Sequence, residues 1–330
     1  MTITDSHRQG SAIDFEQVSK EYPGAPRPAV ADVSLTIEPG RFVALLGPSG
    51  CGKTTLLKMV NRLHEPTSGR ILIDGADIES FAAPALRRQI GYVIQQTGLF
   101  PHMRIEENVA VVPSLLGWDK RRTSERIDEL LELVGLPPDD YRRRYPAQLS
   151  GGEQQRVGLA RALAAEPSTM LMDEPFGALA AITRTRLQGE LLQIHGRMGQ
   201  TILFVTHDIE EAVRLADQIV VMREGRVVQF DTPLRIVMQP ADDFVADLVG
   251  ANDVLRRLSL IRVADVLQPV DIEARETIPA DADLRAALAQ LMEQGTTSLA
   301  VVDDNKSVVG SVNLGTIEQA SKPAEPVASA

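Results

Sequence analysis

The segment that most restricts the possible folds is Gly47-Pro48-Ser49-Gly50-Cys51-Gly52-Lys53-Thr54-Thr55. An apolar, strand-like run over 41–46 precedes it and a helical pattern over 55–63 follows it. A strand that turns into a helix through glycines leaves a concave backbone, with the helix amides aimed at one spot. In that context G-x-x-x-x-G-K-[ST] is a cradle for a polyphosphate. Lys53 is placed to reach the β- and γ-phosphates and the Thr54 hydroxyl to bind Mg²⁺. Cys51 is read as a loop residue contributing an amide, not as a redox group.

The remaining apolar runs extend this unit into an α/β core. Short runs at 170–173, 202–206 and 218–223 are bounded by turn residues and alternate with longer helical segments, which predicts a mainly parallel sheet. The first of these delivers Asp173-Glu174 at its carboxyl end, where open α/β sheets bind ligands. Paired acids at a strand end are commonly solvated turn residues, but the phosphate loop upstream favours chemistry. Asp173 then serves Mg²⁺, and Glu174 orients and polarises the attacking water. Residues 96–160 interrupt the alternation. Within them Ile127, Leu130, Leu131 and Val134 share one helical face, so this stretch reads as an inserted helical subdomain.

Between the phosphate loop and the acidic pair lies Leu149-Ser150-Gly151-Gly152-Glu153-Gln154-Gln155-Arg156. Ser150 and Glu153 have the spacing of a capping box, so this is the start of a helix. A capped N-terminus with two glycines is also an anion site. The two readings are compatible.

Charge and apolar runs exclude several classes. The 330 residues carry a net charge of −11, which would repel a phosphate backbone, and Arg142-Arg143-Arg144 reads as a solvated cluster; no nucleic-acid partner is expected. No apolar run approaches the roughly 20 residues of a membrane-spanning helix, so membrane association is expected through a partner. The polar N-terminus, residues 1–12, reads as flexible and carries no secretory pattern. The single cysteine fits a reducing compartment.

After Gln239-Pro240 the texture changes. Residues 244–260 read as one connecting helix, and 261–320 as a small α+β unit. That unit has a helix at 284–293 and strands at 298–302 and 308–312 around the turn residues Asp303-Asp304-Asn305-Lys306. Residues 321–330 read as a disordered tail.

Taken in order over 13–240, these motifs resemble the ATP-binding subunit of an ABC transporter. The fold implied is a P-loop NTPase core of ABC type with an inserted helical subdomain. The resemblance makes Leu149–Arg156 the signature motif, in which Ser150, Gly151, Gly152 and Glu153 complete the ATP site of a second copy in a head-to-tail dimer. It assigns Gln95 to Mg²⁺ and water, His207 to the γ-phosphate, and Tyr22 to stacking on adenine. It also exposes a departure. The loop after the acidic pair usually reads Ala-Leu-Asp and here reads Ala178-Leu179-Ala180, which puts communication between the two sites in question.

Residues 95–110 resemble the subfamily that energises uptake of quaternary amines such as glycine betaine, choline and carnitine. Residues 262–319 resemble a single CBS motif, with Asn313 and Thr316 where a ribose-binding pair is usual. The implied partners are permease subunits, an extracytoplasmic substrate-binding protein and a second copy of the chain, at the cytoplasmic face of the membrane. The ATPase subunit of another ABC transporter, for a different small solute or for export, and a regulatory ATP-dependent dimerisation module with weak hydrolysis are the competing readings. A non-transport ATPase would more usually carry a long coiled coil or two cassettes.

Overall fold

The computed structural model describes residues 10–94, 98–177, 180–251, 253–269, 276–303 and 305–322. The chain forms two compact units, Met1–His207 with Leu215–Val227, and Asp208–Arg214 with Val228–Ala330.

The first unit begins with antiparallel β1 (Ile13–Lys20) and β2 (Val30–Ile37), followed by β3 (Phe42–Leu46) and α1 (Lys53–Val60). The hairpin β4 (Ser68–Ile73) and β5 (Ala76–Asp77) completes a four-stranded antiparallel sheet in the order β2-β1-β4-β5. This sheet was not legible in the sequence. β1 carries a register shift between Phe15 and Val18, with Gln17 at φ 51°, so the two-residue alternation of a half-buried strand is broken. Gly10 and Ser11 also belong to the ordered core, against the expectation of a flexible 1–12 segment. Gly10 N donates to the Gly199 carbonyl at 2.9 Å and Ser11 Oγ to Ser168 Oγ at 2.7 Å.

After α2 (Ala83–Gln89) and β6 (Ile90–Val93) come the helices of the inserted region: α3 (Ile105–Leu115), α4 (Lys120–Leu133), the short α5 (Pro138–Tyr141) and α6 (Gly151–Leu163). The predicted face of α4 is the packed one, since Ile127, Leu130, Leu131 and Val134 are all buried. Within the arginine cluster Arg143 is exposed, as expected of a solvated patch, and Arg142 departs from that expectation. Arg142 is a partly buried strut, donating to both Asp128 carboxylate oxygens and to Glu106 Oε2, because it has two acidic partners on α3 and α4 within reach. A second fastener is fully buried Asn108. Its side chain accepts from Phe100 N and donates to the carbonyls of Phe100, Met103 and Arg104, pinning the loop before α3.

The chain then returns to the core through β7 (Thr169–Asp173), α7 (Ala181–Met198) and β8 (Thr201–Thr206). It leaves briefly in α8 (Ile209–Leu215) and re-enters as β9 (Gln218–Arg223), next to β10 (Arg226–Asp231). Strands β9-β3-β8-β7-β6 form a parallel sheet. Every residue of β3, β7 and β8 is buried, the pattern of strands covered on both faces. The register pairs Leu46 with Thr206 and Asp173 with Val205, so three neighbouring strands end at the same edge. Phe204 meets Phe42 and Phe176 edge-on, at 5.5 and 6.5 Å between ring centroids. Each such contact adds roughly 0.5–1.5 kcal/mol beyond burial, and the second anchors the loop that follows β7.

In the second unit the expected single helix over 244–260 is two: α10 (Asp243–Val249) and α11 (Val254–Leu260), after α9 (Pro233–Met238). Gly250 ends α10 at φ 67°, and Asp253 restarts the chain by capping α11. Beyond it, β11 (Thr277–Pro279), α12 (Leu284–Gln294), β12 (Ser298–Val302), β13 (Val308–Asn313) and α13 (Leu314–Ser321) form the α+β unit. The expected pair β12–β13 is antiparallel, and β11 adds a parallel strand that three residues were too short to announce. The expected tail 321–330 falls, from 323 onward, outside the described residues.

Candidate functional site

The phosphate loop is shaped by backbone that only glycine accommodates. Gly47 stands at φ 151°, where a Cβ would lie 2.3 Å from the Met222 carbonyl oxygen. Gly52 stands at φ 108°, where a Cβ would lie 2.3 Å from the Ala29 oxygen. Helix α1 starts on Lys53, two residues earlier than its sequence pattern shows. It has neither a side-chain cap nor an acidic residue in its first turn, so its N-terminal field faces outward. Lys53 is buried, and its ammonium donates to the carbonyls of Gly47 at 2.6 Å and Pro48 at 3.0 Å. Cys51 is a buried thiol whose sulfur packs under Gly47, which accords with a structural loop residue. Ser49, Gly50, Gly52, Lys53, Thr54, Thr55, Glu174 and Ala29 line a cleft of about 260 Å³. Ala29 was not anticipated, since nothing in its local sequence marks it.

At the cleft the Thr54 hydroxyl donates to Asp173 Oδ1 at 2.9 Å, joining residues 119 positions apart. Asp173 is buried, and together with burial its charge pushes the Tyr92 phenol up to about 12, burial being the larger cause. Glu174 occupies the left-handed region at φ 46°, a conformation costing a non-glycine residue about 1–2 kcal/mol. Its amide is held by the Val205 carbonyl at 3.1 Å, and His207 Nδ1 lies 3.3 Å from its Oε1. Strain of this kind persists only where the surrounding fold sets the direction of the residue. Gln95 lies outside the described residues.

Tyr22 sits half-exposed on the β1–β2 loop, edge-on to His64 with 5.9 Å between centroids, and Lys20 Nζ is 5.2 Å from its ring. Burial, then Lys58 and Lys20, lower the His64 pKa, which disfavours the charged form of that ring beside the tyrosine. The loop closes through Ala29 N on the Lys20 carbonyl, and Ala29 abuts Gly52. This places the Tyr22 loop against the phosphate loop.

The capping box at α6 is formed: Glu153 N donates to Ser150 Oγ and Ser150 N to Glu153 Oε2, at 3.3 and 2.7 Å. Ser150 and Gly151 are exposed, and Ser150–Glu153 do not line the cleft. The Tyr141 hydroxyl donates to Glu153 Oε1 at 2.6 Å, a partner that sequence spacing does not reveal. Among the described residues no group of three or more His, Cys, Asp or Glu forms a self-contained metal centre. One hydroxyl beside one buried carboxylate suits an ion held mainly by nucleotide phosphates, the usual mode for Mg²⁺.

A strand end bearing a phosphate loop, a strand end on the same edge of the sheet but one strand further along bearing two acids, and a capped helix start between them in sequence define a nucleotide-hydrolysing cassette. Family models agree: one for ABC transporters matches residues 30–177 and one for CBS domains matches residues 263–322. The chain belongs to the ATP-binding proteins of ABC transporters and is an ABC-type ATPase. The glycine betaine/carnitine/choline transport ATP-binding protein OpuCA of Bacillus subtilis strain 168 is 47% identical over 316 residues, covering 96% of this chain and 82% of its own. The glycine betaine uptake system ATP-binding protein YehX of Escherichia coli K12 is 48% identical over 292 residues, with 88% and 94% covered. Among solved structures, a dimeric post-hydrolysis state of the ATP-binding cassette MJ0796 bound to ADP and Pi superposes with a TM-score of 0.61 at 33% identity. That match covers 67% of this chain and 98% of the other.

Proposed function

We propose that this protein is the ATP-hydrolysing subunit that powers import of a quaternary amine of the glycine betaine, choline or carnitine class through a membrane permease. The observation that carries this reading is similarity over both units. The relatives named for those solutes match nearly the whole chain, including the C-terminal CBS-like region, and not the cassette alone. Among the described residues no helix is long and apolar enough to cross a membrane, so the subunit is peripheral and held by its permease.

In this reading Lys53 and the loop amides hold the β- and γ-phosphates, while Thr54 and Asp173 hold Mg²⁺ with Gln95 beside it. The ion neutralises phosphate charge when bound. Glu174 orients the water, His207 meets the γ-phosphate and Tyr22 stacks on adenine. Ser150 and Gly151 act on the nucleotide of a second copy. Gly151 supports that role, because nothing lies within 4 Å of a Cβ added there and its φ is not positive. An extracytoplasmic binding protein delivers the solute.

The test is reconstitution with a quaternary-amine permease and its extracytoplasmic binding protein. ATP-driven uptake of radiolabelled glycine betaine, choline or carnitine is the expected outcome. Uptake of none of these, with an inorganic anion or metal transported instead, overturns the assignment.

A further inference from the structure

We propose that Glu153 is a built-in competitor for the Ser150 hydroxyl: its carboxylate occupies the anion position at the start of α6 and must release that hydroxyl before two chains close on ATP. This rests on the reading in which Ser150 meets the nucleotide of a second copy.

The two helix starts in the nucleotide machinery differ in one respect. Helix α1 has no side-chain cap and no acid in its first turn, whereas α6 has both in Ser150 and Glu153. Glu153 Oε2 accepts the Ser150 amide and the Ser150 hydroxyl, each at 2.7 Å, while Oε1 accepts the Tyr141 hydroxyl at 2.6 Å. These are short, charge-assisted bonds, so the carboxylate is held firmly. The hydroxyl has a single proton, and here it goes to Glu153. A γ-phosphate presents only acceptors, so Ser150 can donate to it only by turning that proton away from Glu153. The carboxylate that remains is a like charge beside the arriving phosphate. Tyr141, which ends α5 of the inserted region and carries the Arg144 guanidinium 4.4 Å from its ring centroid, sets how readily the carboxylate withdraws. Tyr141 and Glu153 are thus positioning residues for Ser150, and the helical region governs closure through them.

The measurement is the dimer dissociation constant of the full-length chain by sedimentation, with Mg²⁺ and a non-hydrolysable ATP analogue, at low salt and at roughly 0.3 M salt. Glu153→Gln keeps an acceptor for the Ser150 amide and removes the charge. It should tighten the dimer roughly tenfold at low salt, the size of one partly screened like-charge contact. It should also flatten the salt dependence relative to the unsubstituted chain. Tyr141→Phe, which leaves the charge but removes its anchor, should fall between the two. A role confined to helix capping would leave both the dimer affinity and its salt slope unchanged, whatever happens to the melting temperature, and that result overturns the proposal. So does a Tyr141→Phe dimer looser than the parent. Ser150→Ala separates the two levels. If it weakens the dimer while Glu153→Gln changes nothing, the competitor is wrong and the shared site stands. If Ser150→Ala dimerises like the parent, both fall.

Discussion

Thr54 and Asp173 are hydrogen-bonded at 2.9 Å, the first at the start of α1 and the second at the end of β7. The bond fixes a hydroxyl and a carboxylate on one side of the cleft. Asp173→Asn retains an acceptor for Thr54 and removes the charge, so the fold should persist. Turnover should fall at least about 100-fold, as expected when a group stabilising transition-state charge is lost. Phosphate release at saturating ATP checks this; a rate within a few-fold of the parent would remove Asp173 from the metal site.

Glu174 is held in the left-handed region. Glycine there relieves about 1–2 kcal/mol of backbone strain and gives back roughly 0.4–1 kcal/mol through a freer unfolded chain. Glu174→Gly is therefore expected to melt at or slightly above the parent temperature while losing hydrolysis. A drop of several degrees in calorimetry would show that the strain is illusory.

Ala180 occupies the N-cap of α7 and offers the helix no side-chain acceptor. Ala180→Asp should cap it, adding about 0.5–2 kcal/mol by thermal unfolding. It also restores the residue usual in the family at this loop, and steady-state ATPase activity should rise. Gained stability without gained activity would confine Ala180 to a local role.

Glu153 is held below the ordinary carboxylate range, first by the Tyr141 hydroxyl and then by Ser150. The native state therefore binds that proton more weakly than the unfolded state does. Its stabilisation is complete above the ordinary value and is lost as pH falls through the lower native one. The melting-temperature gap between the parent and Glu153→Gln should narrow from about pH 6 to about pH 3. A constant gap would mean that the charge contributes nothing to the cap.

Asn108 makes four hydrogen bonds to the loop Phe100–Arg104 from a fully buried position. Asn108→Ala leaves that backbone unsatisfied, at about 1–3 kcal/mol. Hydrogen exchange should rise in residues 98–104 more than elsewhere, and uniform exchange across the first unit would count against the fastening role.

The chemistry was legible because it is written in contiguous spacing. The glycines before Lys53, the acids after an apolar strand and the Ser150–Glu153 pair each follow from local backbone geometry. The first antiparallel sheet was hidden by the bulge in β1 that breaks its alternation, and the division into α10 and α11 by a single glycine inside an apolar pattern. Arg142 looked solvated because its partners Glu106 and Asp128 lie on other helices.

By itself, the amino-acid order marked the candidate phosphate-handling groups and where the helices and core strands around them fall, since those depend on neighbours a few residues away. Only the tertiary structure decided which groups meet. It brought Thr54 to Asp173, Glu174 to His207, and Tyr141 to Glu153 within the segment Leu149–Arg156. Those pairings depend on parallel strands ending in register and on helices packing across the inserted region, and long-range packing of that kind leaves no spacing in the chain to read.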